Sequence, residues 1–213
     1  MKATRILNLI VAMAVLGITS AAYAADEKPG KDEKPLNYVV LKGGMYSPST
    51  TFDLDYAVGA NTTKRHLDSK VGFAGEVAMG HYFLPELAVE LGAGYFQSKG
   101  SEATVGNAML RVVPLIATAK VFLPMGVFEP YGLAGIGAYI SDIEVNENST
   151  VKQIKNSTEV TYGFHAGAGF NINFTSKMFA GLEGKYLWAE PSFGGQHVKL
   201  DGFITTANLG FRF

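Results

Sequence analysis

The chain contains no cysteine, and this absence excludes both a disulfide framework and the lipidated cysteine of a lipoprotein anchor. After residue 24 no uninterrupted apolar run approaches the roughly 18 residues that a transmembrane helix needs. Charged residues make up only 17% of the 213 residues, whereas aromatic residues make up 12% and glycine occurs 25 times. Few charges, many aromatics and many glycines together favour β-structure that faces lipid.

The first 24 residues have the three parts of a secretory signal peptide. A short positive start precedes an apolar run at 6–17, and Ala22 and Ala24 put small side chains at the two positions that a signal peptidase reads. We therefore predict that residues 1–24 are cleaved during export. A retained membrane anchor is the weaker alternative, because a charged, proline-containing stretch follows at once.

The remainder of the chain divides into a tail and one domain. Residues 25–36 are charged and punctuated by proline, so we expect a flexible periplasmic tail rather than packed structure. Residues 37–213 have a length that suits a single domain. Without the signal peptide, 16 basic and 19 acidic residues remain, and this balance gives no reason to expect nucleic acid as a partner.

From residue 37 onward the sequence falls into segments of strand character. Residues 161–174 alternate between apolar side chains, such as Tyr162 and Phe164, and small or polar ones, such as Gly163 and His165. Because successive side chains of a strand point to opposite faces, this pattern gives one apolar face and one small or polar face. Eight such segments are predicted, at 37–47, 70–83, 86–98, 104–123, 126–142, 159–175, 177–190 and 201–213.

The connections between these segments alternate between long and short. The short ones lie at 84–86, 124–126 and 176–177. Tight turns at one end and long loops at the other are typical of a transmembrane barrel, whereas alternation alone would also fit a soluble sandwich. The predicted fold is therefore all-β: an eight-stranded antiparallel up-and-down transmembrane β-barrel in the Gram-negative outer membrane, with short periplasmic turns.

Aromatic residues cluster near both ends of the predicted strands, where two girdles of rings are expected to meet the lipid headgroups. The group beside the short turns comprises Tyr38, Phe83, Phe122, Phe128, Tyr131, Phe174, Phe179 and Phe213. The group near the opposite ends comprises Tyr95, Tyr139, Tyr162, Tyr186, Trp188 and Phe203.

The last segment resembles the C-terminal signal of outer-membrane barrels, in which apolar residues alternate and the final residue is aromatic. Leu209, Phe211 and Phe213 are the residues that this resemblance assigns to recognition by the barrel-assembly machinery. Residues 129–139 (EPYGLAGIGAY) resemble a Pro-Tyr-x-x-x-Gly-x-Gly-x-Tyr strand of small OmpA/OmpX-type transmembrane domains. A second resemblance, to the OmpW group, rests on Val113-Pro114-Leu115.

The polar face of the strands is expected to point into a lumen that eight strands make just wide enough for side chains to fill. An isolated buried charge is prohibitively costly, so the charged residues of this face should pair with one another. The predicted lumen charge network consists of Lys42, Glu76, Glu90, Lys120, His165, Glu183, Lys185 and Arg212. A structural plug is the favoured interpretation, and a gate that opens when charged partners exchange is the alternative.

Two residues of segment 104–123 do not fit the simple alternation. Arg111 falls on the lipid-facing side, from which its long side chain can reach the headgroups. Pro114 removes a ladder hydrogen bond, which predicts a local bulge, and a bulge would turn Arg111 inward. An opening in the wall at Pro114 is a further alternative, in keeping with the OmpW-like resemblance.

No catalytic, cofactor-binding or metal-binding residue is predicted. His66, His81, His165 and His197 lack the His-x-Ser pattern of a barrel lipid A deacylase. The sequence also has neither a Gly-x-Ser-x-Gly elbow nor a His-Glu-x-x-His zinc motif. An enzyme that acts on envelope lipids is therefore the least favoured of three functional classes.

The two favoured classes are a structural, surface-interacting barrel and, as the alternative, an OmpW-like conduit for small, apolar solutes. We expect a monomer whose partners are outer-membrane lipids, lipopolysaccharide and, during biogenesis, the barrel-assembly machinery. Loop charges could bridge lipopolysaccharide phosphates directly or through divalent cations, although merely solvated loops are the norm. These charges are Asp53, Asp55, Lys64, Arg65, Asp142, Glu144 and Glu147.

Overall fold

A computed structural model describes the chain from Leu36 to Phe213 with gaps, and its long strands form one closed sheet. The described residues are 36–49, 52–58, 61–67, 69–102, 106–146, 158–189, 192–193, 196–197 and 200–213. The long strands are β1 (Asn37–Pro48), β2 (Gly72–Leu84), β3 (Leu87–Glu102), β4 (Gly106–Phe122), β5 (Phe128–Asn146), β6 (Thr158–Asn173), β7 (Met178–Ala189) and β8 (Gly202–Arg212). Within these described residues no helix is long and apolar enough to cross a membrane.

Each long strand pairs antiparallel with its neighbours in sequence, and the last strand returns to the first. β1 pairs with β8 from Tyr38 opposite Arg212 to Pro48 opposite Gly202, which closes the barrel. Closure matters because an unsatisfied backbone group in hydrocarbon costs several kcal/mol, and a closed sheet has no free edge. The predicted eight-stranded up-and-down barrel is confirmed, and its strand boundaries lie within four residues of those predicted.

The connections distinguish the two ends of the barrel. β2–β3, β4–β5 and β6–β7 are joined by short turns at what we call the turn end, where Gly126 adopts a φ of +72° that favours glycine. The opposite end, the loop end, carries additional short strands. Phe52–Val58 pairs with Asn61–Leu67 as a hairpin, and Ser192–Phe193 pairs with Gln196–His197.

Side chains alternate between the lumen and the outer surface as the sequence predicts. In β8, Ile204, Thr206 and Asn208 are buried, whereas Phe203 and Leu209 are more than half exposed. The outer surface is strongly apolar, and Tyr162 of β6 reaches 82% exposure. Such a surface is suited to acyl chains rather than to water.

The lumen is divided into layers. An apolar layer near the loop end comprises Tyr46, Ala74, Phe96, Leu110, Val112, Ile116, Tyr139, Leu187, Ala189, Leu200 and Ile204. An apolar layer near the turn end comprises Tyr38, Val40, Ala78, Ala88, Phe122, Tyr131, Leu133 and Phe179. On β1, β2, β3, β4 and β7 the buried charges lie in sequence between members of these two sets, so that a polar layer separates two apolar ones.

The two predicted aromatic girdles are only partly correct. Five of the rings assigned to them point into the lumen and are at most 4% exposed: Tyr38, Phe122, Tyr131, Tyr139 and Phe179. These residues occupy the inward parity of their strands, which decides their direction whatever their distance from the strand end. Phe83, Phe174, Tyr162, Trp188 and Phe203 do lie on the outer surface.

The predicted bulge at Pro114 is wrong. Pairing of β3 with β4 stops after Ala93 opposite Leu115 and resumes at Phe96 opposite Val112 in the same register. Proline lacks the N–H that a ladder hydrogen bond needs, so pairing is interrupted without an inserted residue. Pairing of β4 with β5 continues through Pro114, and Arg111 therefore stays on the outward parity. A register shift does occur between β2 and β3, near Tyr82 and Leu84 at the turn end of the barrel.

Inward-facing glycines make room for the rings of the turn-end layer. A Cβ on Gly80 would lie 2.0 Å from Cζ of Tyr38, and a Cβ on Gly210 would lie 2.0 Å from Cζ of Phe179. Gly184 faces outward, and a Cβ there would meet nothing within 4 Å. The aromatic rings of this layer therefore occupy the space that inward-facing glycines leave free.

We predict that Gly80→Ala destabilises the barrel by about 1–3 kcal/mol, because the added methyl group overpacks the layer against the ring of Tyr38. The measurement is urea unfolding in lipid vesicles, followed by the fluorescence of Trp188. Gly184→Ala is the matched control and should change the free energy of unfolding by less than about 0.5 kcal/mol. Equal stability of the two variants would contradict this account of the packing.

Candidate functional site

The candidate site is the polar layer of the lumen, which five strands supply with charged side chains. On β1, Lys42 lies between Val40 of the turn-end layer and Tyr46 of the loop-end layer, and Glu76 holds the corresponding place on β2. The remaining members come from β3, β4 and β7, and the six together are Lys42, Glu76, Glu90, Lys120, Glu183 and Lys185. We call this set the charge ring.

Lys42 is the centre of the charge ring. Its Nζ lies 2.8 Å from Oε1 of Glu76 and 3.2 Å from Oε1 of Glu183, and it also donates to Oε1 of Glu90. Lys42 is only 2% exposed, so the ammonium has exchanged water for three carboxylates. Buried cations persist when paired in this way, since an unpaired one would carry a large desolvation cost.

The other two lysines complete a closed alternation of charge. Nζ of Lys120 lies 2.9 Å from Oε2 of Glu90 and 2.8 Å from Oε2 of Glu183. Nζ of Lys185 lies 2.6 Å from Oε2 of Glu76 and 3.7 Å from Oε1 of Glu183. Each lysine therefore contacts at least two carboxylates, and each carboxylate at least two lysines. Three positive and three negative groups leave the ring with no net charge.

Tyrosines of the turn-end layer donate hydrogen bonds to carboxylates of the charge ring. The hydroxyl of Tyr38 donates to Oε2 of Glu90 at 3.1 Å, and that of Tyr131 donates to Oε2 of Glu183 at 3.0 Å. Nζ of Lys120 also lies 4.6 Å from the ring centroid of Tyr131, within the range of a cation–π interaction. The apolar and ionic layers are thereby joined.

Arg212, the last cation of the predicted network, lies outside the charge ring in a separate cluster at the turn end. Its Nη2 donates to Oε2 of Glu129 at 2.8 Å, and its Nη1 donates to Oδ1 of Asn173 at 2.7 Å. The guanidinium carbon lies 4.5 Å from the ring centroid of Phe179. Nδ2 of Asn171 also donates to Glu129, at 3.3 Å.

Glu129 is a buried charged residue of the lumen that was not predicted from the sequence. It is 8% exposed and brings the buried carboxylates to four, equal to the four lysine and arginine side chains. The signal that could have found it was charge balance, since the predicted set held three carboxylates against four cations. Its parity, shared with Tyr131 and Leu133, is also inward.

His165 is buried near the charge ring but belongs to no ion pair among the described side chains. Its Nε2 lies 2.8 Å from Oγ1 of Thr118, and its Nδ1 is buried with no hydrogen-bond partner in the described part of the chain. A Cβ on Gly135 would lie 2.5 Å from Nε2 of His165, so the ring is packed directly over that glycine.

The other residues singled out in the sequence are spread over the surface. Leu209 faces outward on β8, Phe211 and Phe213 are half-buried, and the N–H of Phe213 donates to the carbonyl of Asn37 at 2.9 Å. The loop-end hairpin contains Asp53, Asp55, Lys64 and Arg65. Glu144 lies in the loop-end part of β5, whereas Glu147 lies outside the described residues.

The charge ring fills the middle of the lumen with a fully paired set of charges. Each carboxylate of the charge ring is engaged by lysines, which leaves none available as an unpaired metal ligand or base. Across the described ranges, no three His, Asp or Glu side chains group as they would around a metal ion.

We predict that Lys42→Met destabilises the barrel by about 3–5 kcal/mol, because three buried carboxylates lose their shared cation. Urea unfolding in lipid vesicles, followed by Trp188 fluorescence, measures the effect. Lys177→Met removes an exposed lysine of the β6–β7 turn and should be nearly neutral. Adding Glu90→Gln to Lys42→Met restores charge balance and should recover part of the loss. Equal stability of Lys42→Met and Lys177→Met would show that the ring contributes nothing.

Solved structures share this architecture. OprG from Pseudomonas aeruginosa superposes with a TM-score of 0.57 at 17% identity, covering 85% of this chain and 97% of that one. Neisserial surface protein A gives 0.54 at 13% identity, with coverage of 83% and 97%. Ail of Yersinia pestis, in complex with the heparin analogue sucrose octasulfate, gives 0.50 at 15% identity, with coverage of 84% and 99%. At such low identity these similarities concern the fold alone.

A family model gives the assignment that the structural similarities leave open. No curated protein matches the sequence. The model of the outer membrane protein beta-barrel domain matches residues 10–213, which is nearly the whole chain. Together with the closed eight-stranded barrel, this match shows that the chain belongs to the outer-membrane β-barrel protein family and places it in the outer membrane.

Proposed function

We propose that this protein is a structural barrel of the outer membrane that closes its own lumen and acts through its surfaces. The observation that carries the proposal is the succession of three filled layers across the lumen: an apolar layer, the charge ring and a second apolar layer. Members of all three layers are nearly inaccessible, including Tyr46, Glu90 and Phe122, each at most 1% exposed. A solute that moved along the axis would have to displace all three.

The connectivity of the charge ring supports a plug rather than a gate. Opening would separate Lys42 from three carboxylates, and each separated charge would remain close to the apolar layers. Desolvated charges of this kind cost several kcal/mol unless they find new partners. The described lumen offers Lys42 no second set of carboxylates, since Glu129 is engaged by Arg212.

The orientation of the barrel in the membrane indicates which end would act as its interaction surface. In outer-membrane barrels the short turns face the periplasm and the longer connections face the exterior, so the loop end carries the extracellular surface. Its hairpin sets Asp53 opposite His66 and Asp55 opposite Lys64 in register. We assign to these loops an interaction with lipopolysaccharide, and to Leu209, Phe211 and Phe213 the contact with the barrel-assembly machinery after export through the cleaved signal peptide.

We assign the barrel no catalytic role. Support comes from His165, whose described hydrogen-bond partner is the hydroxyl of Thr118 rather than a carboxylate that would orient it as a base. Mass analysis of lipid A incubated with the folded protein tests this assignment, and loss or gain of acyl chains would refute it.

We predict that the refolded protein inserted in planar lipid bilayers produces no reproducible conductance steps, because the three layers block the axis. Heat-modifiable migration on a gel verifies folding before insertion. A refolded porin at the same protein-to-lipid ratio is the control for insertion. Steps of one reproducible size from the folded protein would refute the closed lumen and favour a conduit.

A lateral conduit for small apolar solutes is the second candidate function. The observation that favours it is the interrupted pairing of β3 with β4, where Gly94 and Tyr95 face Val113 and Pro114 without ladder pairs. Such an interruption is a weak point in an otherwise continuous wall. A path there would lead from the loop-end part of the lumen into the membrane rather than along the axis.

The lateral conduit predicts that proteoliposomes take up apolar solutes faster than protein-free liposomes in a swelling panel of graded polarity. Pro114→Ala restores a backbone donor and should slow this uptake, because the β3–β4 ladder can then be completed. Pro130→Ala, on β5, is the matched control and should leave uptake unchanged. Uptake equal to that of protein-free liposomes across the whole panel would eliminate this candidate.

A further inference from the structure

The outer surface of β3 to β6 has a depression of about 620 Å³. Its floor is formed by the small side chains of Ala117 and Ala138. The register explains this shape, because Ala117 lies between Leu91 and Ile136, and the next row of side chains sets Ala138 between Leu115 and Tyr162. The large side chains around these two alanines form the rim, among them Leu91, Leu115, Ile136, Tyr162 and Phe164.

A polar row limits this apolar face at the loop end. Gln97, Arg111 and Asp142 lie opposite one another on β3, β4 and β5, and all three are on the outward parity. Arg111 is the one cation among the outward-facing described side chains of β3 to β6. The hydroxyl of Tyr95, one row deeper, donates to Oε1 of Gln97 at 3.2 Å. This row therefore marks the level at which hydrocarbon gives way to headgroups on this side of the barrel.

The separation between Arg111 and the depression matches the dimensions of a lipid. Leu115 and Ala117 follow Arg111 on the same strand by four and six residues, which corresponds to roughly 13–20 Å along the strand. Half the thickness of a bilayer's hydrocarbon core is about 15 Å. An acyl chain whose headgroup lies beside Arg111 therefore reaches the floor at Ala117 and Ala138.

We propose that this face binds one molecule of lipid A, the phosphorylated and multiply acylated glycolipid of the outer leaflet. Arg111 donates hydrogen bonds to a phosphate, and one acyl chain lies over Ala117 and Ala138. A guanidinium suits this role because its planar set of donors matches phosphate oxygens. The position at the loop end selects the outer leaflet, and hence lipid A over the phospholipids of the inner leaflet.

A second depression on the opposite side of the barrel provides an internal comparison. It encloses about 570 Å³ between Leu41, Phe73 and Leu209, with Ala207 in its lining. The outward-facing described side chains of β8, β1 and β2 include no lysine or arginine. The second depression therefore has a comparable volume but no neighbouring cation. We assign lipid A only to the face that has both a depression and a cation.

The test is native mass spectrometry of the full-length mature protein, released from mild detergent after incubation with lipid A, phosphatidylglycerol or phosphatidylcholine in separate samples. The wild type should retain one lipid A under conditions that strip both phospholipids. Arg111→Gln should lower the retained fraction about tenfold, the loss expected for a charge-assisted hydrogen bond. Ala117→Leu with Ala138→Leu fills the depression and should lower retention to a similar extent.

Two variants serve as matched controls. Lys177→Gln removes a cation at the turn end, and Ala207→Leu adds the same bulk to the second depression, so both should retain lipid A as the wild type does. Heat-modifiable migration confirms that each variant is folded, and Arg111→Lys, which keeps the charge, should retain an intermediate fraction.

Two results would overturn the proposal: equal retention of lipid A by Arg111→Gln and Lys177→Gln, or retention of phosphatidylglycerol as strong as that of lipid A. Neither result depends on whether the lumen conducts, so the proposed structural role is tested separately by the bilayer recordings.

Discussion

Eight strands enclose so little space that inward side chains of different strands have to accommodate one another. The charge ring is the outcome of this constraint. Its six groups come from five strands, and the two members on β7, Glu183 and Lys185, reach partners on β1, β2 and β4. A low-dielectric interior tolerates such groups only as a neutral, fully paired set. The barrel therefore cannot close in an arbitrary register, because a shifted register would separate the charges.

The narrow lumen also constrains the packing of side chains in the two apolar layers. Rings of Tyr38, Phe179 and Tyr131 fit only because Gly80, Gly210 and Gly169 present no side chain beneath them. The hydroxyls of Tyr38 and Tyr131 then hold the carboxylates of Glu90 and Glu183. The packing of the rings therefore positions the hydroxyls that bind the charged carboxylates. Stabilising contacts are distributed over the whole cross-section rather than concentrated in one strand pair.

Much of this architecture could be predicted because β-alternation is a local property of the sequence. The parity of each segment assigned eight residues to the lumen face, and all eight are buried. Which of them pair could not be predicted, because pairing across the lumen depends on the relative stagger of strands far apart in sequence. Lys185 contacts Glu76, 109 residues away, whereas Arg212 contacts Glu129 in a separate cluster.

The partly correct aromatic girdles and the wrong bulge have physical reasons of the same kind. The aromatic girdles were inferred from distance to the strand ends, and parity overrode that distance for Tyr38, Tyr139 and three other rings. The bulge was inferred from the missing donor of Pro114, but a bulge also requires an additional residue on one strand. β3 and β4 keep one register on both sides of the proline, so no residue is available for it.

The surroundings of Pro114 also bear on the choice between a structural barrel and a conduit. Gly94, which faces Pro114 across the interrupted ladder, pairs on its other side with Glu76 of the charge ring. A Cβ at Gly94 would lie 3.3 Å from Cγ of Pro114 and 2.7 Å from the carbonyl oxygen of Gly75. The proline ring thus lies close to Gly94 where the ladder bonds are missing, and a side chain at Gly94 could not be added without displacing the backbone. We infer that solutes could cross the wall at this point only if β3 and β4 separated. That separation would pull on Glu76 and hence on Lys42 and Lys185, so the charge ring resists lateral as well as axial opening.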